Sequence, residues 1–393
     1  MKSYLTKYRC IECGKEFDPN ELHYLCDECG RDYLPGMPLK GVLEAVFNYE
    51  EIGRKWKQNP DPLLFSAVNP KFYPPLPVGN TPFFRVNIPG LKSGGTASSG
   101  YTKWWIKFDG LNPSGSYKDR ASQLVVADAL QKGIKEIVTA STGNAACSLA
   151  CLGASAGLKV VIFAPQNAPP AKLIQIQVHN AELHKIDGSY DDAFKAALAY
   201  TKTHNCMCRN TGYHPLTIDG KKSAGIEIYV QNGYKVPDWI VIPVGDGVIL
   251  TGIYKAFLDL KKAGITEKMP HLLCVQAESS DAITSYWETG IYHDAENPIT
   301  IADSIKVKTP ALAHWSVKAL KETDGKCIRV SDKEIQEAQL ELAKETGVFG
   351  EPSSSATLAG LKKVVNHSWL KDAKDIVLLI TGHGLKDPGA VKL

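Results

Sequence analysis

The sequence predicts an α/β architecture of two doubly wound open-sheet domains, preceded by a small cysteine-rich unit. Three observations carry this expectation. From about residue 104, short β-branched runs alternate with longer amphipathic segments, the rhythm of layered α/β domains. Several of these runs are apolar at consecutive positions, as in strands covered on both faces of a parallel sheet. Two Cys-x2-Cys pairs stand within the first thirty residues, a length too short to build an adequate core alone.

In chain order, residues 1–35 form the cysteine-rich unit. Cys10 and Cys13 bracket two residues, as do Cys26 and Cys29, and twelve residues separate the pairs. Gly14 and Gly30 follow each second cysteine and permit the tight turn of a knuckle. Four thiolates at this spacing suit tetrahedral zinc in a zinc-ribbon-like unit, with iron in a rubredoxin-like site as the alternative. They leave no coordination position open, so the metal is expected to be structural. Residues 36–103 read as an extension and linker. GVLEAVFNYEEIGRKW reads there as a helix, and Pro60, Pro62, Pro70, Pro74, Pro75 and Pro77 predict extended chain. SGGTASSG, 93–100, reads as a surface loop. Residues 104–393 form the main α/β body, with a smaller α/β subdomain of about 115–235 inserted in a larger one. Strands are expected at 136–140, 159–164, 239–244, 271–277 and 375–380, with helices from 119, 144, near 170–180 and after 247.

Bulk properties narrow the function classes. The 393 residues are 44% hydrophobic and 22% charged, with a net charge of +3, which argues against a nucleic-acid partner. No apolar run approaches a membrane span, and Met1 to Arg9 has no signal-peptide core, so a cytoplasmic protein is expected. Ten cysteines then fit reduced thiols better than a disulfide framework. Cys147 and Cys151 read as core packing, Cys206 and Cys208 as a strand pair, and His383 as a structural histidine.

Four segments could carry chemistry. In GLNPSGSYKDRAS, 110–122, Lys118 sits where a turn enters a helix. The helix dipole disfavours positive charge there and so favours the neutral amine that attacks a carbonyl; position alone fits a solvated surface lysine better. In the second segment a strand ends in Ser141, Thr142, Gly143 and Asn144 before a small-residue helix, which fits an anion-binding helix start or a plain N-cap. The third is PVGDGVIL, where Gly245 and Gly247 permit close backbone approach and the amides through Ile249 can cradle phosphate; an ordinary βα turn fits as well. Asp246 is unfavourable beside a phosphate, so its carboxylate is expected to turn away and cap the helix. The fourth places Thr381 at the carboxyl edge of a buried strand, where ligands of open α/β sheets bind.

Together, and in this order, GNTP (79–82), NPSGSYKDR, STGN, the glycine turn and TGHGLKDP resemble the fold-type II pyridoxal phosphate (PLP) enzymes, the threonine synthase branch most closely. The resemblance covers about Pro77 to Pro388. IDGSYDDAF, GKKSAGIEI and VFGEPSSSATLAGL also look familiar. What the resemblance implies is PLP in Schiff-base linkage to Lys118, which also serves as general acid/base. Asn144 would bind the cofactor's 3′ oxygen, Gly245, Asp246, Gly247, Val248 and Ile249 its phosphate, and Thr381 its pyridine nitrogen. Ser141, Thr142 and Gly143 would receive the substrate carboxylate. The implied reaction turns O-phosphohomoserine and water into threonine and phosphate, in a homodimer.

The chain departs from that branch at RNTGYHPLTIDGKK, 209–222. Thr217 stands where many members carry a basic residue for the substrate phosphate, and one residue is inserted. Arg209 with Asn210, Lys221 or Lys222 is expected to compensate. The departure keeps a second reading open, a β-eliminating or β-replacing enzyme resembling serine/threonine deaminases or a phosphoserine-using cysteate synthase. A third reading is a zinc-ribbon binding protein with a non-catalytic body.

Overall fold

The computed structural model describes residues 3–89, 91, 102–141, 143–166 and 170–391. Thr142 and the 93–100 stretch lie outside the described residues. Among the described residues no helix is long and apolar enough to cross a membrane.

The N-terminal unit is an antiparallel sheet of β1 (Leu5–Cys10), β2 (Glu16–Phe17) and β3 (Leu43–Phe47), in the order β2-β1-β3. β3 differs from the expected helix. Its five residues, LEAVF, are all buried and pair with β1 in a register that sets Ala45 opposite Tyr8. Consecutive apolar residues fit a helix or a doubly covered strand, and the pairing partner decides. Only α1 (Tyr49–Gln58) is helical, capped by Asn48, whose side chain accepts the Glu51 amide at 3.0 Å. The sheet therefore extends beyond residue 35. The proline-rich stretch is not simply extended: Pro62–Phe65 and Pro70–Phe72 are 3-10 turns, with Asp61 and Asn69 as caps. Proline opens each because its fixed φ suits a first turn and its missing N–H costs nothing there.

Next come β4 (Phe83–Val86), β5 (Lys103–Phe108), α2 (Lys118–Gln131), β6 (Glu136–Ala140), α3 (Asn144–Ser155), β7 (Lys159–Pro165) and α4 (Pro170–Gln177). They are followed by β8 (Glu182–Ile186), α5 (Tyr190–Thr203), β9 (Met207–Cys208), α6 (Leu216–Gln231), β10 (Trp239–Pro243), α7 (Val248–Lys262) and β11 (His271–Ala277). The chain ends with α8 (Ala282–Thr289), α9 (Ala313–Glu322), β12 (Lys326–Val330), α10 (Asp332–Thr346), α11 (Pro352–Val364) and β13 (Asp375–Ile380).

A large sheet has the order β12-β11-β10-β13-β5-β4, parallel except for the edge strand β4, which runs against β5. The core thus includes residues upstream of 104. A small sheet, β8-β7-β6-β9, is wholly parallel. Its strands fall between β5 and β10 in the chain. Val241, Leu273, Leu378 and Val161 are almost fully buried, as strands covered by helices on both faces must be.

One polar cluster is buried among these layers. Arg120 of α2, 1% exposed, donates from Nη2 to Asp109 Oδ1 at 3.0 Å and from Nη1 to Glu227 Oε1 at 2.7 Å. Lys107 of β5 donates to Glu227 Oε2 at 2.6 Å and to the Thr81 carbonyl at 2.8 Å. The Thr81 hydroxyl in turn donates to Asp109 at 2.7 Å. Burial alone would push the Glu227 carboxyl up; Arg120 foremost, then Lys107, outweigh it and hold it down at about 2.

A depressed carboxyl stabilises the folded state above its unfolded pKa, and that contribution is lost as pH falls toward the folded value. Glu227→Gln is therefore expected to cost about 3 kcal/mol at neutral pH, because it leaves buried cations short of a partner. Urea midpoints measured across pH check this. The native chain should lose stability more steeply than the variant below about pH 4.5, and parallel curves would contradict it.

Candidate active site

Lys118 is positioned by the chain on either side of it. In the loop before α2, the Ser114 amide and hydroxyl donate to Asp119 at 2.7 and 2.5 Å. The Tyr117 amide donates to the Thr381 carbonyl at 2.7 Å, and the fully buried Tyr117 hydroxyl to the Lys221 carbonyl at 2.7 Å. Lys118, first residue of α2, is thereby held half-buried against the carboxyl end of β13. It lines one cavity with the turn Gly245–Gly247, Ile249, Ser304 and Thr381. The same lysine lines a wider cleft with Ser141, Gly143 and Asn144. Sequence segments 263 positions apart at their extremes thus meet at the carboxyl ends of strands from both sheets.

The glycine turn leaves no room for side chains. A Cβ on Gly245 would come within 2.9 Å of Ile305 Cα, and one on Gly247, which has φ +81°, would collide with Ser316 Oγ. Asp246 does turn to the helix: its Oδ1 accepts the Val248 amide at 2.9 Å. The Val248 amide is thereby engaged, while the amides of Gly245, Asp246, Gly247 and Ile249 stand at the mouth of α7. Burial would raise the Asp246 carboxyl, but Lys221 foremost, with Lys118, the Val248 amide and Arg209, holds it below the usual carboxylate range.

Asn144 opens α3 and donates from Nδ2 to Ser304 Oγ at 3.0 Å and to Glu351 Oε2 at 3.0 Å. Thr381, 5% exposed, shares a 3.1 Å hydrogen bond with the Ser354 hydroxyl. Glu351, Ser304 and Ser354 belong to the site, and the sequence reading gave them no role. Glu351 and Ser354 lie in VFGEPSSSATLAGL, a stretch noted only as familiar; nothing local in the sequence marked Ser304. Glu351 is buried, and a Cβ on Gly382 would collide with its carboxylate, which accounts for the glycine in TGHG. His383 is structural as expected: its Nδ1 accepts the Leu385 amide, and its ring stacks on Phe108.

The basic residues at 209–222 separate into different surroundings. Arg209, fully buried after β9, donates from Nη1 to the Thr211 hydroxyl, while its Nη2 has no partner. Burial pushes its guanidinium down to about 10. Lys221 is also fully buried with no partner on Nζ, and burial drives it well below the usual lysine value, with Asp246 acting against that. Lys118, Lys221, Arg209 and Asp246 form one electrostatic group. Lys222 is elsewhere: it pairs with Asp219 at 2.8 Å and Asp259 at 2.9 Å over the Phe47 ring, so it does not compensate for Thr217. Asn210 lies behind the cleft, its Oδ1 accepting the Ala140 amide at 2.7 Å at the end of β6. The Thr217 hydroxyl is used locally, accepting the Gly212 amide and donating to the His214 carbonyl.

The four N-terminal thiols also converge. Cys10, Cys13, Cys26 and Cys29 place their sulfurs within 4.8 Å of one another, with Cys13 and Cys26 at 3.7 Å. A tetrahedral site with Zn–S bonds of about 2.3 Å has S–S edges of about 3.8 Å, so the set has the dimensions of a closed four-thiolate centre. The knuckle amides Gly14 and Gly30 donate to the Cys10 and Cys26 carbonyls at 3.0 and 2.8 Å. All ten cysteines are free thiols.

A primary amine, a turn that admits backbone only, and a neutral hydroxyl surrounding one cavity fit PLP. Comparison with known proteins agrees. Residues 75–382 match the model of the family described as pyridoxal-phosphate dependent enzyme. The threonine synthase of Methanosarcina acetivorans is 34% identical, over 98% of this chain and 93% of its own length. That of Methanocaldococcus jannaschii is 32% identical, over 97% of this chain and 93% of its own. Among solved structures, maize serine racemase superposes with a TM-score of 0.67 at 20% identity, covering 85% of this chain and 93% of that one. The L-serine ammonia-lyase of Rhizomucor miehei does so with 0.63 at 21%, covering 78% and 94%. These two share the fold. With a family match across most of its length and near-full-length relatives above 30% identity, the chain belongs to the fold-type II pyridoxal-phosphate dependent enzymes.

Proposed function

We propose that the chain is a threonine synthase, converting O-phosphohomoserine and water to threonine and phosphate. The observation that carries this is the pair of buried, incompletely partnered basic side chains, Arg209 and Lys221, grouped with Lys118. Buried basic groups without partners are costly, and a phosphorylated substrate would supply the anion that favours their charged form. The near-full-length relatives that bear this name support the same choice.

In this reading PLP, bound to Lys118, supplies an electron sink for negative charge at Cα and Cβ of the amino acid. Lys118 Nζ moves protons at those two carbons. Ser141, Thr142 and Gly143 hold the substrate carboxylate at the start of α3. Asn144 orients the ring through its 3′ oxygen, and the amides of Gly245–Gly247 hold the cofactor phosphate. The Thr381 hydroxyl would hold the ring nitrogen and, being neutral, would leave it largely unprotonated. Asp246 stays ionised and places a fixed negative charge beside Lys221, Lys118 and Arg209. We assign the Cys10, Cys13, Cys26 and Cys29 centre to structural zinc, and the whole to a cytoplasmic homodimer. Residues 115–235 form the smaller of two α/β units.

A second reading keeps the cofactor and changes the substrate to an unphosphorylated or shorter amino acid, acted on by β-elimination or β-replacement. Thr217, whose hydroxyl is spent within its own turn, favours it.

Phosphate release from O-phosphohomoserine, assayed beside keto acid and ammonia from serine, threonine and O-phosphoserine, separates the two. Threonine and phosphate in equal amounts are expected; turnover of the other amino acids alone would sink the first reading. Lys118→Ala should lower turnover by about 10²–10⁴ and abolish the borohydride-fixed link to PLP; a variant that keeps both would remove Lys118 from the reaction. Lys221→Gln and Arg209→Gln should each raise KM for O-phosphohomoserine by about 10–100-fold, the worth of a charge-assisted hydrogen bond, with PLP absorbance retained. An unchanged KM in both would place the substrate phosphate elsewhere.

A further inference from the structure

The cysteine-rich unit does not stand apart from the cleft. Residues 30–41 leave the second knuckle and return to it: the Cys26 amide donates to the Gly41 carbonyl at 2.7 Å, and the Gly30 amide to the Cys26 carbonyl at 2.8 Å. A Cβ on Gly41, which has φ +70°, would come 2.7 Å from the Gly30 amide, so the two ends of the loop are closed against each other. Between these ends, Tyr33, Gly36 and Met37 line the cleft that holds Lys118 and Asn144.

The loop is fastened to both α/β units. Towards the small sheet, Tyr33 packs on Tyr213 with centroids 6.3 Å apart, and ahead of the loop Tyr24 stacks on the same ring at 5.0 Å while its hydroxyl accepts the Cys208 amide at 2.8 Å. A Cβ on Gly36 would touch Asp191, in the first turn of α5, at 3.3 Å. Towards the large sheet, the Leu39 amide donates to the Ala311 carbonyl at 2.9 Å, and Leu39 is buried with Val248 of α7 and Trp315 of α9. Met37 lines the cleft and is 39% exposed, whereas Leu39, two residues further on, is buried.

We propose that residues 30–41 form a metal-anchored wall of the substrate cleft, with Tyr33 and Met37 as specificity-determining positions that limit which molecules reach Lys118 from solution. The four-thiolate centre fixes the base of this wall, so metal loss loosens the cleft while the glycine turn and Lys118 stay in place. The inference rests on Lys118 carrying PLP and not on which amino acid is the substrate.

The test uses full-length, PLP-loaded enzyme in four further forms: metal-depleted by chelation with metal content measured, Met37→Ala, Tyr33→Ala and, as a control in the same unit away from the cleft lining, Leu22→Ala. Sodium cyanoborohydride is added without substrate, and the loss of visible absorbance reports how freely a small reagent reaches Lys118. The first three forms should be reduced several-fold faster than the parent. In turnover with the preferred amino acid they should show a raised KM and a nearly unchanged kcat, and Leu22→Ala should match the parent. Parent-like reduction rates and KM in both Met37→Ala and Tyr33→Ala would overturn the proposal, and these variants decide it even where metal depletion unfolds the unit. A parent enzyme with no visible absorbance would instead overturn the assignment of PLP to Lys118.

Discussion

The burial of Arg120 is the constraint on which the rest of the structure depends. A guanidinium with no solvent exposure is tolerable only when carboxylates and hydroxyls meet most of its donors. Asp109, Glu227 and Thr81 do so, and they come from the end of β5, from α6 and from the turn before β4. Satisfying one side chain therefore fixes the large sheet's edge, the first turn of α2 and the middle of α6 relative to one another. Lys118 is two residues from Arg120, and Lys221 is six from Glu227, so the amine and the buried ammonium inherit their placement from this cluster. Close packing reinforces it: a Cβ on Gly220 would collide with the Arg120 carbonyl, so α6 and α2 touch through backbone.

Charge then decides what the cleft can hold. Lys221, Lys118 and Arg209 lie around one carboxylate, Asp246, and hold it ionised against its burial. The glycine turn adds the start of a fifteen-residue helix. Such a helix start favours an anion. Asp246 is tolerated there because it caps its own turn through Val248.

Much of this was legible in the sequence, for a physical reason. Strands such as IVLLI (376–380) and WIVIP are apolar at every position because both faces are covered, and the small-residue helix after Asn144 and the glycines at 245 and 247 announce close approach. What sequence could not supply was partner choice. LEAVF has the spacing of a helix and the composition of a strand, and only β1, more than thirty positions upstream, decides between them. Lys221 and Lys222 are adjacent on α6, so their side chains project about 100° apart; one is buried without a hydrogen-bond partner and the other pairs with Asp259, and no local pattern distinguishes them. Glu351 and Ser304 were missed because each acts through Asn144, a contact across more than 150 positions.

The cysteine-rich unit follows the same logic at smaller scale. About thirty residues cannot bury enough apolar surface to order themselves, and two devices make up the deficit. One is the four-thiolate centre. The other is continuity with the body: Tyr8, Cys10, Cys26 and Leu43 share one apolar cluster with Val125 of α2, Ile226 of α6 and Ile253 of α7. An independent module joined by a linker would show a separate core, as the layers around β13 and α10 do. Because β3 lies within this shared core and β1 carries Cys10 at its end, the four-cysteine cluster and the helices bearing Lys118 and Lys221 are parts of one packed unit. Strain at the knuckles is then transmitted through rigid, close-packed contacts to the cleft, whereas a flexible tether would absorb it.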